Sequence, residues 1–386
     1  MPEAAGEFTV VHVAHTTEPG GAELALNRML VSPCRSWHAV LALPEGLEPG
    51  VFADAAAHGV AVVEAGPAQT SGAARASLLA APRFVRQLLA QAGALRRSGA
   101  FEGADVVHAN STRSAVAAAL ALRGDRIPLV VHLRDRIEVG SLGRIGYLAF
   151  RLLAVPRAAG FIANSGSTAQ TVRPLLRHGQ FVEVLPSAIG TSRVRHVPSG
   201  APGAVVRIGM VARLDPWKGH EELIRAFALA GVDDRASLTL IGGPARARDD
   251  YADRLVELAA SLGLDNVTLT GHRDDVPDQI DALDVCVQFS AKPEPMGQNV
   301  LQYLARGRAV IAADDGGPAE WITDGRNGLL VPPRDVPALA AALRRAVDDP
   351  SLRASLAAGA AATEGLPDDC GVTRRHAEAF VRAVSG

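Results

Sequence analysis

Lysine is almost absent from this 386-residue chain: only Lys218 and Lys292 occur, and all the other basic residues, of 39 in total, are arginine. That bias, with the heavy use of Ala and Gly, reads as genomic composition and carries no mechanism. Cysteine is sparse as well. Cys34, Cys286 and Cys370 lie far apart and form no C-x-x-C pair, which argues against a metal site or a disulfide framework and suits a reducing interior. No run approaches the roughly 18 consecutive apolar residues that span a bilayer. The opening stretch MPEAAGEFTVVHVAHTTEPGG lacks the basic start and long apolar core of a signal peptide, so the expectation is a cytoplasmic protein. With a formal net charge of −2, there is no basic excess to draw a nucleic acid.

What remains is the profile of a folded soluble protein, 48% hydrophobic and 21% charged. The length exceeds what one ordinary core fills and predicts two domains. Short apolar runs alternate with helix-length segments from end to end. The runs are FTVVHVA, HAVLALP, GVAVVEA, ADVVHAN, IPLVVHL, GFIANS and FVEVLP in the first half. VVRIGMVA, SLTLIGG, VTLTG, DVCVQFS, RAVIAAD and GLLVPP follow in the second. Strands so short and so continuously apolar are buried on both faces, which means parallel sheets covered by helices, the doubly wound α/β class.

The pattern restarts once, after the Pro-, Ser- and Gly-rich stretch from Val184 to Ala204. The expected organisation is a first domain over 1–190, a second over 191–366, and a terminal helix in 367–386 that crosses back to the first domain. Two such domains joined by a hinge predict a cleft lined by carboxyl-terminal strand ends, where open parallel sheets bind ligands. One segment departs from the alternation. Residues 75–99 form a basic, apolar helical stretch broken by Pro82, which suits either weak peripheral contact with an anionic membrane or a solvated helix of the first domain.

Three places carry chemistry. In VVRIGMVARLDPWKGHEELIRAF, Arg213 and Lys218 sit on a strand-to-helix loop where helix N–H groups are also unsatisfied. All three attract anions, and together they suit a diphosphate. In HVAHTTEPGGAELALNRML, Gly20 and Gly21 precede a helix, and adjacent glycines let backbone amides approach a ligand. There is no G-x-G-x-x-G, so this is not the dinucleotide fingerprint. In EPMGQNVLQ, Glu294 follows a strand while Gly297, Gln298 and Asn299 open the next helix. A carboxylate beside unsatisfied amides suits a sugar and its phosphate.

Taken in order, the Gly20-Gly21 loop with Glu23, DVVHAN, FIANS, VLPSAIG, GMVARLDPWKG, GHRDDV, EPMG and the GGPAEWI…NGLLVPP ending resemble a retaining, nucleotide-sugar-dependent glycosyltransferase of family 4. The resemblance covers nearly the whole chain and implies the GT-B fold, two Rossmann-like domains facing each other across a cleft. It implies that Arg213 and Lys218 bind the donor diphosphate and that the GHRDDV segment, with Arg273 and Val276, holds the base. It further implies that Glu294 lies by the transferred sugar and that Gly297, Gln298 and Asn299 contact sugar and phosphate. Two positions depart from the family pattern. A second Glu usually binds the ribose diol, and Gln302 stands there. A strand-end His-x-His is usual, and here His108 is followed by Asn110, an amide that bonds a hydroxyl but cannot act as a base. At the next strand end His132, Arg134 and Asp135 suit acceptor contacts.

The expected reaction is transfer of a sugar from a UDP- or GDP-sugar to a hydroxyl of a small-molecule, natural-product or glycan acceptor, with retention. No metal is expected, because Arg213, Lys218 and helix amides supply the positive field and no Asp-x-Asp stands at a strand end. Two rivals stay open on the sequence. One is a GT-B sugar-nucleotide epimerase, and the other is a non-catalytic nucleotide-sugar-binding partner subunit.

Overall fold

The computed structural model describes residues 8–67, 81–193, 205–244 and 249–386. The chain divides into two compact units, Met1–Gly190 with Pro367–Gly386, and Thr191–Leu366. Part of the expected hinge stretch, 194–204, lies outside the described residues.

The first unit is built on a seven-stranded sheet in the order β3-β2-β1-β4-β5-β6-β7. Its strands are β1 Thr9–Val13, β2 His38–Leu43, β3 Val60–Glu64, β4 Val106–Ala109, β5 Leu129–Leu133, β6 Ala158–Ala163 and β7 Phe181–Val184. Neighbouring strands pair in parallel throughout, and the central β4 and β5 are buried at every position. That is why their sequence shows no polar alternation. Helices on one face bury Leu88, Leu95, Val116, Leu122 and Phe150 against Val107, Val131 and Phe161.

The opposite face is closed by the C-terminal helix Asp369–Ser385. It is capped by Asp368, whose carboxylate accepts from the Gly371 amide. Phe380 and Ala383 of this helix pack against Val10, Val106, Val130 and Ile162. Burying Phe380 alone is worth roughly 1.5–3 kcal/mol. Cys370 in its first turn is disulfide-bonded to Cys34, with Cα atoms 5.3 Å apart across a sequence separation of 336 residues. The reading that excluded a disulfide is corrected here: linear spacing carried no information about a partner that a returning helix supplies.

Within the stretch 75–99 a helix spans Ala81–Arg97. Leu88, Ala92 and Leu95 are buried in the unit's core, while Val85 and Leu89 are exposed. Residues 75–80 lie outside the described residues. No helix among the described residues is long and apolar enough to cross a membrane.

The second unit repeats the plan with six parallel strands in the order β10-β9-β8-β11-β12-β13. These are β8 Val206–Val211, β9 Ala236–Ile241, β10 Val267–Leu269, β11 Val285–Gln288, β12 Ala309–Ala313 and β13 Leu329–Val331. The helix His220–Ala230 buries Leu223, Ile224, Phe227 and Ala230, the stripe a 3.6-residue period produces, against a core that includes Ile208, Met210, Leu238 and Leu343. In each sheet the strand order reverses once, between β1 and β4 and between β8 and β11. A crevice opens at such reversals beyond the carboxyl ends of the strands, and in each unit the candidate residues that follow the two strands at the reversal lie there.

Candidate active site

In the second unit, β8 runs into Arg213 and then the short turn Pro216–Lys218, while β11 runs into the loop that carries Glu294. Lys218 Nζ lies 2.7 Å from Glu294 Oε2, and both side chains are mostly buried. The same ammonium sits 4.0 Å from the centroid of the Trp217 ring, a cation–π contact that limits its freedom. Two backbone features align the loops. Ala291 N donates to Trp217 O at 2.8 Å. Gly219 has φ 86°, and a Cβ there would collide with the Phe289 carbonyl, so glycine is required for both conformation and close approach.

The Glu294 backbone is held from its other side. Gly317 N donates to Glu294 O at 2.8 Å, and Gly316, at φ 70°, sits so close that a Cβ would strike the Glu294 carbonyl. This gives the GGP sequence its role: it is the close-packed bed on which the carboxylate loop rests. The carboxylate itself accepts a second hydrogen bond on Oε2 from Ser290 Oγ at 2.9 Å. Ser290 Oγ in turn accepts from Gln288 Nε2 at 2.9 Å.

Gly297, at φ 72°, caps the helix Gln298–Ala305, whose first-turn amides lack intrahelical acceptors and carry the positive end of its dipole. Asn299 is tied inward: its Nδ2 donates to Val211 O at 3.0 Å and its Oδ1 accepts from the Val300 amide. Its side chain thereby fastens this helix to the end of β8. Gln302 is 9% exposed. Arg213 is exposed. His220, in the first turn after Gly219, is held down to about pKa 4, chiefly by burial and then by the Lys218 charge. It is therefore neutral at physiological pH and adds no charge beside Lys218.

Arg273 makes a two-pronged ion pair with Asp275, with Nε–Oδ1 2.8 Å and Nη2–Oδ2 2.7 Å. Arg273, and then Gln279, hold the Asp275 carboxyl down to about 2. The pair stiffens the turn leading into the helix that Val276 begins. Gly242 N donates to Gly271 O at 3.0 Å and sets this turn beside the end of β9.

In the first unit the alternation of a strand decides which residues reach a ligand. Positions 106, 108 and 110 share one face, as do 130, 132 and 134. The middle members of these sets lie under the C-terminal helix. His108 and His132 are 0% exposed, in a column of rings that runs Trp37, His12, His108, His132 and His376. Trp37 Nε1 donates to His12 Nε2 at 3.0 Å, so His12 carries its proton on Nδ1 and donates to His108 Nδ1 at 2.9 Å. The assignments of His108 to catalysis and of His132 to acceptor contact are therefore corrected. Both are core residues that a distant helix covers, and burial first, then neighbouring positive charge, holds both well below the usual histidine range.

The residues at the strand ends emerge beyond the helix. Asn110 Oδ1 accepts from Arg134 Nη2 at 2.7 Å and Nε at 3.3 Å, while its Nδ2 donates to Ala22 O at 3.3 Å. Arg134 also donates to Ser187 Oγ. Burial lowers the Arg134 pKa to about 10 against the opposing influence of Glu23 and Asp135, so it stays charged. Asn110 thus links β4, the Gly20-Gly21 helix start and Arg134 into one framework. Asp135 is exposed beside it. Ser111 Oγ lies 3.2 Å from His15 Nδ1 and caps the next helix. Ser187 and Trp217 stand inside the VLPSAIG and GMVARLDPWKG motifs without having been given a role there, while Ser290 and Gln288 are signalled only by their places at a strand end beside motif residues. Among the described residues no group of three or more His, Cys, Asp or Glu is placed to hold a metal ion.

Comparison with known proteins follows the same division. The profile of Glycosyltransferase Family 4 matches residues 45–193, and that of Glycosyl transferases group 1 matches residues 196–363. The chain is 32% identical over 226 residues to the lipopolysaccharide core biosynthesis glycosyltransferase LpsE of Rhizobium meliloti, covering 56% of this chain and 62% of that relative. It is 30% identical over 308 residues to the D-inositol 3-phosphate glycosyltransferase of Kribbella flavida, covering 73% and 70%. The crystal structure of Anabaena HepE in complex with UDP-glucose superimposes over 97% of this chain and 100% of that one, with TM-score 0.79 at 24% identity. These matches, with two parallel Rossmann-like sheets each carrying polar residues at its switch point, place the chain in glycosyltransferase family 4, with the GT-B fold.

Proposed function

We propose that this protein transfers a sugar from a nucleotide diphosphate donor to a hydroxyl of a small-molecule or glycan acceptor, with retention and without a metal. The observation that carries the reading is the Lys218–Glu294 ion pair at the β8/β11 switch point, with Arg213 on the same loop as Lys218. Cleavage of the sugar–phosphate bond puts negative charge on the departing diphosphate. Arg213, Lys218 and the amides at the start of the Gln298–Ala305 helix are the groups that stabilise it. Glu294 lies within reach of the same phosphate-binding lysine and is the carboxylate available to the sugar. With His108 covered, the acceptor proton goes to the departing phosphate oxygen itself. A UDP donor is favoured by the likeness to HepE, whose complex holds UDP-glucose. An acceptor carrying several hydroxyls is favoured by the D-inositol 3-phosphate relatives.

The test is thermal-shift screening against UDP- and GDP-sugars, followed by donor hydrolysis and transfer assays on the hits, with and without EDTA. Activity survives EDTA on this reading, and strict Mn dependence would overturn the metal-free part. Glu294→Gln lowers turnover on the order of 100-fold with UDP binding retained, and unchanged turnover removes Glu294 from the chemistry. A second reading, a non-catalytic nucleotide-sugar binder, draws on the loss of any exposed base where His108 and Asn110 stand. It requires binding with neither hydrolysis nor transfer in the same assays.

A further inference from the structure

The end of β11 contains a residue with no packing rationale. Val285, Cys286 and Val287 are apolar and fully buried, yet Gln288 follows them in the strand at 3% exposure. Its Oε1 is buried without a hydrogen-bond partner. A buried, half-satisfied amide is a standing cost. What Gln288 gains is a single bond, Nε2 to Ser290 Oγ at 2.9 Å. Ser290, itself 3% exposed, passes that bond on to Glu294 Oε2 at 2.9 Å.

The direction of this chain is fixed. The Gln288 amide can only donate through Nε2, so Ser290 Oγ accepts from it and turns its own proton to the carboxylate. Lys218 donates to the same oxygen, Oε2. Among the described residues Oε1 of Glu294 makes no hydrogen bond, which leaves it as the oxygen turned toward a ligand. The two donors on Oε2 differ in permanence. Lys218 stands on the loop with Arg213, and a diphosphate arriving there competes with Glu294 for the ammonium. Ser290 is 3% exposed and carries no charge for a phosphate to draw away, so it keeps its bond.

We propose that Gln288 and Ser290 are positioning residues: their hydrogen-bond chain anchors Glu294 through Oε2 and keeps Oε1 directed at the donor sugar once the diphosphate has drawn Lys218 away. The proposal rests on the reading of Glu294 as the sugar-side carboxylate. It explains why a buried glutamine is kept in an otherwise apolar strand, and it adds two residues to the site that touch no substrate.

The test compares Ser290→Ala, Ser290→Thr, Gln288→Leu and Glu294→Gln in the full chain, with UDP and UDP-glucose as probes. Affinity for UDP is measured by calorimetry, affinity for UDP-glucose likewise, and UDP release by a coupled assay. Ser290→Ala is expected to bind UDP as the parent does and to lose the extra affinity conferred by the sugar. Its UDP release falls on the order of 10- to 100-fold, the penalty of a misdirected group in a positioned site. Ser290→Thr keeps the hydroxyl and restores release to within a few-fold, and Gln288→Leu falls between. A merely structural role would weaken UDP binding and lower the melting temperature together with turnover, and that result overturns the proposal. So does Ser290→Ala with parental turnover while Glu294→Gln is impaired. If Glu294→Gln itself behaves as the parent, or the parent neither binds nor cleaves UDP-glucose or any other nucleotide sugar, the underlying reading fails instead.

Discussion

Acid should unfold the first unit well before the second. Four histidines, His12, His108, His132 and His376, share one buried column there, with Trp37 and Phe380 packed around them. Burial is the first cause that holds each in the neutral form, to about 3 for His12 and about 4 for His376. Every charge acting on the column is positive: Arg35 on His12, Arg134 on His108, His132 and His376, and Arg375 on His376. Among the described residues no carboxylate offsets them. The unfolded chain binds protons at these histidines near pH 6.5, and the native state does not. Stability is therefore complete above that pH and falls as pH drops from about 7 toward 4.

For a histidine that stays neutral when folded, the loss is about 0.8 kcal/mol at pH 6 and about 2 kcal/mol at pH 5, from the unfolded-state proton alone. His12 and His376 together give about 4 kcal/mol at pH 5, and His108 and His132 act in the same direction. That is a large share of the roughly 5–15 kcal/mol that holds a domain folded. In the second unit His220 is the buried histidine held down by burial, to about 4, with about 2 kcal/mol at stake at pH 5. Calorimetry between pH 7.5 and 5 should show the transition containing Trp37 moving down faster than the other. His132→Leu supplies the control, because both ring nitrogens of His132 are buried without hydrogen-bond partners. The variant should recover up to about 2 kcal/mol at pH 5 relative to its own effect at pH 7.5. Parallel shifts of the two transitions, or an unchanged pH slope in His132→Leu, would refute the argument.

Two further outcomes follow from the first unit. Reducing the Cys34–Cys370 bond, or replacing both residues by Ser, should cost about 2–4 kcal/mol because the bond closes a loop of 336 residues. The first unit's melting temperature then drops by roughly 4–16 °C. Three free thiols in the purified, unreduced protein would show that the bond does not form and would favour the reducing compartment expected from the sequence. Arg134→Leu strips Asn110, which is 1% exposed, of both its guanidinium donors. The expected loss is about 1–3 kcal/mol in urea denaturation. Arg134→Lys should recover only part, since an ammonium cannot reproduce the fork that spans Asn110 and Ser187; full recovery by Lys would contradict the framework role.

The strands were the most legible part of the chain because burial on both faces writes itself directly into composition. Each of the thirteen apolar runs forms a strand, and their common parallel direction follows from the helices between them. That Lys218 and Glu294 stand near each other was legible because both follow strand ends of one sheet. What failed needed knowledge of a distant partner. His108 and His132 read as site residues since they stand one step before a strand end, but the helix Asp369–Ser385 covers that face, and nothing near either histidine announces it. The same helix brings Cys370 to Cys34. Ser290 and Gln288 were missed for a different reason: each is unremarkable alone, and only the hydrogen-bond chain to Glu294 gives them meaning.

The two departures from the family pattern now differ in kind. Asn110 is built into the first unit, with its oxygen on Arg134 and its nitrogen on Ala22 O. An imidazole could not accept twice from a guanidinium there and still hold the Ala22 carbonyl in the first turn of the helix Gly21–Leu30. The amide is thus part of the scaffold that shapes this strand end, and its loss of basicity is a consequence of that duty. Gln302 sits at 9% exposure, where a carboxylate would carry a desolvation cost that an uncharged amide avoids. In the same unit the Glu294 charge is already matched by Lys218, and lysine is nearly absent elsewhere in the chain. A neutral Gln302 adds no second buried carboxylate to the unit in which Lys218 already pairs with Glu294.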